Sequence, residues 1–319
     1  MLHVETIVCP TDFSSSAAHA LSHAAFLARV YGARLHVLHV VELPALSMPH
    51  IREDYFVEHK KKAEAAIVNA LSGEDLAGVA VERIVVPGPE ATPAGPAIVE
   101  YARQHDADLI VIGTHGRRGM RRLFMGSVAE EVVREAPCPV LTVRAEADDA
   151  FPARPVRRIL APLDFSAHSE RALLYATELA ALYHARLVLL HVLYEPIPRS
   201  LYGMALDPGY GILQEVETWV NQKMAEAEAF VRKAGIEVET HIEKGHPADR
   251  ILDFASRSDI DVLVMASHGL TGLDRFVFGN VAEKVIREAP APVFVLKAFG
   301  KDVADYATSE NRALEPQTE

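Results

Sequence analysis

The chain has 319 residues, 50% of them hydrophobic and 24% charged, which excludes a disordered, collagen-like or membrane-embedded protein and suggests two domains. Its formal net charge of -12 disfavours broad attraction to nucleic acid or to an anionic membrane surface, so any anion has to be caught locally. No run of about 18 apolar residues occurs, and the start carries His3 and Glu5 instead of a basic stretch before an apolar one, so a cytoplasmic protein is expected.

The first predicted strand holds Ile7 and Val8 and leads into Cys9-Pro10-Thr11-Asp12-Phe13-Ser14. Behind the cap candidate Ser14, Leu21, Ala24, Ala28 and Tyr31 recur at helical spacing. A second strand runs through Leu35 to Val40, with His39 at its end, and residues 43–50 read as an irregular rim or lid. Strand four holds Leu109 to Ile112 and opens into Gly113-Thr114-His115-Gly116, then nine residues, then Gly126-Ser127 and a helical pattern starting at Val128. Glycines there allow positive-φ turns and close approach of backbone N–H groups to an anion, and Ser127 is the expected cap of a helix whose positive end faces the loop. Arg117, Arg118, Arg121 and Arg122 add local positive charge within an acidic chain. The arrangement suits a di- or triphosphate. Two or three glycines with a serine cap can also do no more than join a strand to a helix.

A last strand over Val140 to Val143 closes the first module, and the pattern then starts again. Residues 9–14 recur at 161–166 as Ala-Pro-Leu-Asp-Phe-Ser, an offset of 152, and residues 108–116 recur at 261–269, an offset of 153. The second copy repeats the helix with Leu173, Ala176, Ala180 and Tyr183 behind Ser166, and ends on Val293 to Leu296. A period this long is a duplicated folding unit and not a solenoid repeat. Each copy reads as five strands and four helices, giving a parallel sheet covered on both faces with its crevice at the carboxyl strand ends. Residues 145–155 lack periodicity, residues 193–210 form a second rim, and the stretch after 298 carries two basic against five acidic residues. The expected division is domain 1 over 1–145, a linker at 146–153, domain 2 over 154–298 and a loose tail at 299–319.

With Pro10-Thr11-Asp12, His39-Val40 and Gly-x2-Gly-x9-Gly-Ser in these places, the chain resembles the universal stress protein (UspA-like) family in its tandem form, over both modules. The resemblance implies two Rossmann-like, adenine nucleotide alpha hydrolase-like domains, each an α/β fold with a five-stranded parallel sheet of order 3-2-1-4-5. It also implies pairing through the last strands and, where the glycine motif is full, bound ATP with or without Mg. Carried over residue by residue, Pro10, Thr11 and Asp12 line the adenine and ribose side, with Asp12 an acceptor, and Val40 meets adenine through its backbone. Gly113, His115, Gly116, Gly126, Ser127 and Val128 enclose ribose and phosphates, mostly through main-chain N–H groups. Asp12 has an alternative as a cap of the first helix, and backbone contact is favoured over the His115 imidazole.

In the second copy Ala266 replaces the first glycine, Asn280 replaces the serine, and Asp274 stands beside Arg275 where the first has two arginines. A second, weaker nucleotide site is expected at Pro162, Leu163, Asp164, Val192, Gly269, Gly279, Asn280 and Val281. Cys9 and Cys138 read as buried core thiols, His39 and His191 as structural or crevice-lining residues, and the pair His19/His23 lacks a third metal ligand.

No Gly-x4-Gly-Lys-Ser/Thr loop, magnesium carboxylate pair or Gly-x-Ser-x-Gly elbow occurs. The leading expectation is an ATP-binding, nucleotide-responsive stress protein with an adenine nucleotide as ligand and no efficient catalysis. A slow ATPase using the same crevice and a structural pairing module without nucleotide are the alternatives. Pairing of the last strands within one chain is expected, and a homodimer is compatible with the sequence.

Overall fold

The computed structural model describes residues 2–43, 49–90, 93–114, 125–144, 156–194, 209–267, 279–297 and 301. In the first half, β1 (Thr6–Pro10), β2 (Arg34–Leu43), β3 (Val81–Glu90), β4 (Leu109–Gly113) and β5 (Val140–Val143) alternate with α1 (Ser15–Tyr31), α2 (Pro49–Leu71), α3 (Gly95–Gln104) and α4 (Ser127–Glu135). The second half repeats this with β6 (Arg158–Pro162), β7 (Arg186–Leu193), β8 (Val238–Lys244), β9 (Val262–Ala266) and β10 (Val293–Leu296). Its helices among the described residues are α5 (Ala167–Tyr183), α6 (Gly209–Lys233), α7 (Pro247–Arg257) and α8 (Asn280–Glu288).

All ten strands form one sheet, in the order β3-β2-β1-β4-β5-β10-β9-β6-β7-β8. Each half therefore has the expected internal order 3-2-1-4-5. The two sheets are fused by an antiparallel seam in which Val293, Phe294 and Val295 face Thr142, Leu141 and Val140, while the other ladders are parallel. Pairing consumes the inner edge of each half, which leaves only β3 and β8 as sheet edges. Pro87 and Pro89, which lack an N–H to give the ladder, lie on β3, where a proline is tolerated.

The strands are apolar at successive positions because helices cover both faces, and alternation divides their side chains between two cores. Ile7, Cys9, Leu109 and Val111 join residues of α1, α2, α5 and α6 in one core, whereas Val8, Ile110 and Ile112 join α3, α4, α7 and α8 in the other. Each core includes side chains from both halves. Phe26 of α1 stacks on Tyr183 of α5 with ring centroids 5.0 Å apart. The two cysteines fall in opposite cores, both buried and free, and burial pushes the Cys138 thiol up to about 12.

Duplicated local signals form duplicated local structure. Ser14 caps α1 by accepting from the Ala17 N–H, and Ser166 caps α5 by accepting from the Ser169 N–H. Gly32 ends α1 in the left-handed region at φ 67°, and its repeat-mate His184 holds the same conformation at φ 52° without a glycine's freedom. Asp108, buried before β4, accepts from the N–H groups of Glu5 and Thr6 at 2.8 and 2.9 Å, and Asp261 does the same for Arg157 and Arg158. The rim expected at 43–50 is narrower than that, since β2 reaches Leu43 and α2 starts at Pro49, a position that suits proline at a helix start. The remainder of both rims, at 44–48 and 195–208, the linker and residues 302–319 lie outside the described residues.

Candidate functional site

In each half the sheet reverses its strand order between the first and fourth strands, and a crevice forms beyond their carboxyl ends. In the first half Pro10 ends β1, and the Thr11 N–H still bonds the Leu38 carbonyl of β2 at 2.8 Å. The turn that follows is tied down by side chains: Thr11 Oγ1 accepts from the Phe13 N–H at 3.1 Å and Asp12 Oδ1 from the Ser14 N–H at 3.0 Å. Asp12 is thus not itself the helix cap; it shapes the turn that presents Ser14 as the cap. Phe13 takes a left-handed φ of 65°, a conformation costing a bulky L-residue about 1 kcal/mol that the surrounding bonds have to offset.

His39 supplies one of those bonds. Its Nδ1 lies 2.7 Å from the Thr11 carbonyl oxygen, which can only accept, so Nδ1 carries the proton and the imidazole is held as a donor. Its ring lies 4.7 Å from that of Phe13. His39 is therefore a strut between β2 and the β1–α1 turn, in line with the structural expectation. Leu38 directs its carbonyl toward β1, and main-chain groups two residues apart on a strand face the same edge. The N–H and C=O of Val40 accordingly face the space past the end of β1.

On the other side of the crevice, Gly113 ends β4. A Cβ there would lie 2.7 Å from the Ser16 carbonyl carbon and 2.8 Å from the Ala17 nitrogen, so glycine lets the first turn of α1 pack directly on β4. Neither Gly113 nor Gly126 adopts positive φ, contrary to the turn chemistry expected of them. Close approach is what position 113 requires, and Gly126 is extended at φ -68°, ψ 150°.

Thr114 is buried; its N–H bonds the Val143 carbonyl at 2.8 Å and its carbonyl accepts from the Gly126 N–H at 2.7 Å, which draws the two ends of the intervening loop together. Gly126 is the N-cap of α4 and its carbonyl accepts from Glu130. The expected cap, Ser127, is instead the first helical residue, exposed at the mouth, with Val128 packed against the core behind it. No side-chain cap closes α4 among the described residues, so the N–H groups of its first turn, Ser127, Val128 and Ala129, point out of the helix end. The expected contacts His115 and Gly116, and the four arginines, lie outside the described residues.

The second crevice repeats the plan. Pro162 ends β6, the Leu163 N–H bonds the Leu190 carbonyl at 2.8 Å, and Asp164 Oδ1 accepts from the Ser166 N–H at 3.0 Å. His191 Nδ1 donates to the Leu163 carbonyl at 2.7 Å, and Phe165 has φ 61°. Val192 faces the edge that Leu190 faces, by the same alternation. Ser267 bonds Leu296 and receives the Gly279 N–H at 3.2 Å. Gly279, and not Asn280, is the N-cap of α8; Asn280 is its first residue and Val281 packs on the core. Gly269 lies outside the described residues. Ala266 packs its methyl against the core on the α5 side.

Among the described residues no three His, Cys, Asp or Glu side chains gather as a metal site, and no helix is long and apolar enough to cross a membrane. His23 is buried, which holds its imidazole down to about 4. Sequence reasoning missed Thr114 with Ser267, which clamp the loop ends, and the strained pair Phe13 and Phe165. Their recurrence in the two copies was the signal available.

The model of the Universal stress protein family matches residues 3–144 and 155–297. Universal stress protein MJ0531 of Methanocaldococcus jannaschii is 34% identical over 141 residues, 43% of this chain and 81% of the relative. Universal stress protein MJ0577 of the same organism is 30% identical over 154 residues, 44% of this chain and 94% of the relative. A universal stress protein from Archaeoglobus fulgidus superposes with a TM-score of 0.61 at 23% identity, over 92% of this chain and 98% of that one, and so shares the fold.

Proposed function

Because the chain belongs to the universal stress protein family, we propose that its first crevice binds ATP and that the protein acts as a nucleotide-responsive stress protein without an efficient catalytic step. The observation that carries this reading is the N-terminus of α4, which no described side chain caps, at the mouth of the crevice, across from the Val40 main chain and the Thr11-Asp12 turn. A helix end of this kind offers aligned N–H donors and the positive end of the helix dipole, which suits phosphate. Pro10, Thr11, Asp12 and Val40 would receive adenine and ribose. Gly126, Ser127 and Val128 would receive the phosphates through main-chain groups, with Gly113 holding α1 and β4 close enough to form the wall.

The second crevice offers the same donors from α8, beside Pro162, Leu163, Asp164 and Val192, and is the weaker site. Phosphate contacts from main-chain amides hold a nucleotide without activating a nucleophile, so turnover, where it occurs, is slow. ATP binding would alter a surface presented to protein partners.

Mass spectrometry of the nucleotide released from freshly purified, denatured protein, with calorimetric titration of ATP into stripped protein, tests the reading. One or two adenine nucleotides per chain and saturable binding are expected. No released nucleotide and no heat at millimolar ATP would leave the seam-forming, purely structural role in its place.

A further inference from the structure

The two crevices lie in different halves, yet the residues that bound them cross the seam. Val143, at the end of β5, gives its carbonyl to the Thr114 N–H, where the chain leaves β4. The next residue, Arg144, reaches into the other half: its Nη1 donates to the Ala289 carbonyl, just past the C-terminus of α8, at 2.7 Å. The repeat-mate arrangement is reciprocal. Leu296, at the end of β10, gives its carbonyl to Ser267, and the next residue, Lys297, places Nζ 2.6 Å from both the Val133 and Arg134 carbonyls in the last turn of α4.

Each of these helices has nine residues, about 13 Å at 1.5 Å per residue, and is too short to bend appreciably. The N-terminus of α4 bounds the first crevice while its C-terminus is gripped from the second half, and α8 is held the converse way. A cation on the last carbonyls also complements the negative end of the helix dipole, whose positive end faces the crevice.

We infer that the two crevices are positively coupled, with α4 and Lys297 carrying the first site's occupancy to Ser267 and α8 and Arg144 carrying the second's to Thr114. The inference rests on the proposal that both crevices take ATP. An anion that fixes α4 holds the carbonyls that seat Lys297, and thereby the strand end to which the other crevice's Ser267 is bonded. The second nucleotide then meets a crevice already held in place.

A thermodynamic cycle tests this. Ser127→Pro and Asn280→Pro each remove one N–H at a helix position that accepts proline, weakening one site about 10- to 100-fold so that calorimetry at low ATP reads the constant of the other site alone. The overall two-site constant of the unaltered chain should exceed the product of the two single-site constants by about fivefold or more, a usual size for such coupling. Replacing Arg144 and Lys297 together by Met should bring that quotient to one, and the exchange Arg144→Lys with Lys297→Arg, which keeps both donors, should retain it. A quotient of one in the unaltered chain, a single occupied site, or coupling that survives the double Met variant overturns the inference while the ATP reading stands. Absence of ATP binding in the unaltered chain overturns the ATP reading itself.

Discussion

His39 Nδ1 and the Thr11 carbonyl oxygen stand 2.7 Å apart, joining the end of β2 to the turn that leaves β1, and His191 and Leu163 repeat the bond at the same distance. The imidazole is a strut for a turn whose neighbouring phenylalanine occupies a strained conformation. Its removal should therefore be felt in stability before it is felt in chemistry. His39→Ala is expected to cost about 1–2 kcal/mol in urea unfolding, the scale of one partly buried hydrogen bond plus lost packing. An unchanged midpoint would show that the turn stands without it.

Ser127→Pro separates the amides of α4 from its side chains. Gly126 already has the extended backbone that a residue before proline prefers, and proline is favoured in the first helical turn, so α4 should survive. Loss of one N–H to a charged ligand should weaken ATP binding about 10- to 100-fold with the unfolding midpoint unchanged. Ser127→Ala should bind within about twofold of the unaltered chain, since the hydroxyl is not the cap. Loss in the alanine variant and not in the proline variant would assign the contact to the side chain.

Gly113→Val places carbon where Ser16 and Ala17 backbone atoms already lie within 3 Å. Backbone cannot swing aside as a flexible side chain can, so α1 has to shift from β4. Destabilisation of about 1–3 kcal/mol is expected, together with weaker ATP binding. The same change at Ala266, where a methyl is already accommodated, should cost less. Equal costs at both positions, read by thermal unfolding, would refute the close-packing role.

Acid should destabilise the protein through His23. Burial lowers its folded-state value from 6.5 to about 4, so the unfolded chain binds the extra proton first as pH falls. The stability contributed by neutral, buried His23 is present above 6.5 and is lost as pH drops toward 4, to a total of about 3 kcal/mol. His23→Gln, which cannot take up that proton, should flatten the stability profile between pH 6.5 and 4. An unaltered slope would place the acid sensitivity elsewhere, as at His36 and His191, whose imidazoles burial also lowers.

Most of the fold was legible in the sequence because it is written twice. Ser14 and Ser166, Leu21 and Leu173, and the strands around Val140 and Val293 repeat at constant offsets, so each local reading had a second witness. The exact behaviour of the loop ends was not legible. Ser at position 127 is a better cap by propensity than Gly126, yet the extended backbone demanded by the bond from Gly126 to Thr114 put the glycine in the cap position and the serine inside the helix. Gly113 signals conformational freedom in sequence, whereas its need is for the space taken by Ser16. Arg144 and Lys297 drew no reading from the sequence, since their partners lie 145 and 164 residues away and no spacing rule reaches so far.

Fusion of the two five-stranded sheets has a consequence for what either half can be alone. Cutting the chain between residues 145 and 155 would bare β5 or β10 with its row of main-chain donors, and would strip apolar surface from both faces at once. The severed piece would still carry one strand edge and one outstretched cation made to fit a near-copy of itself. Such a fragment should abandon solitude by self-association, recreating with a true twofold axis what duplication achieved with an approximate one.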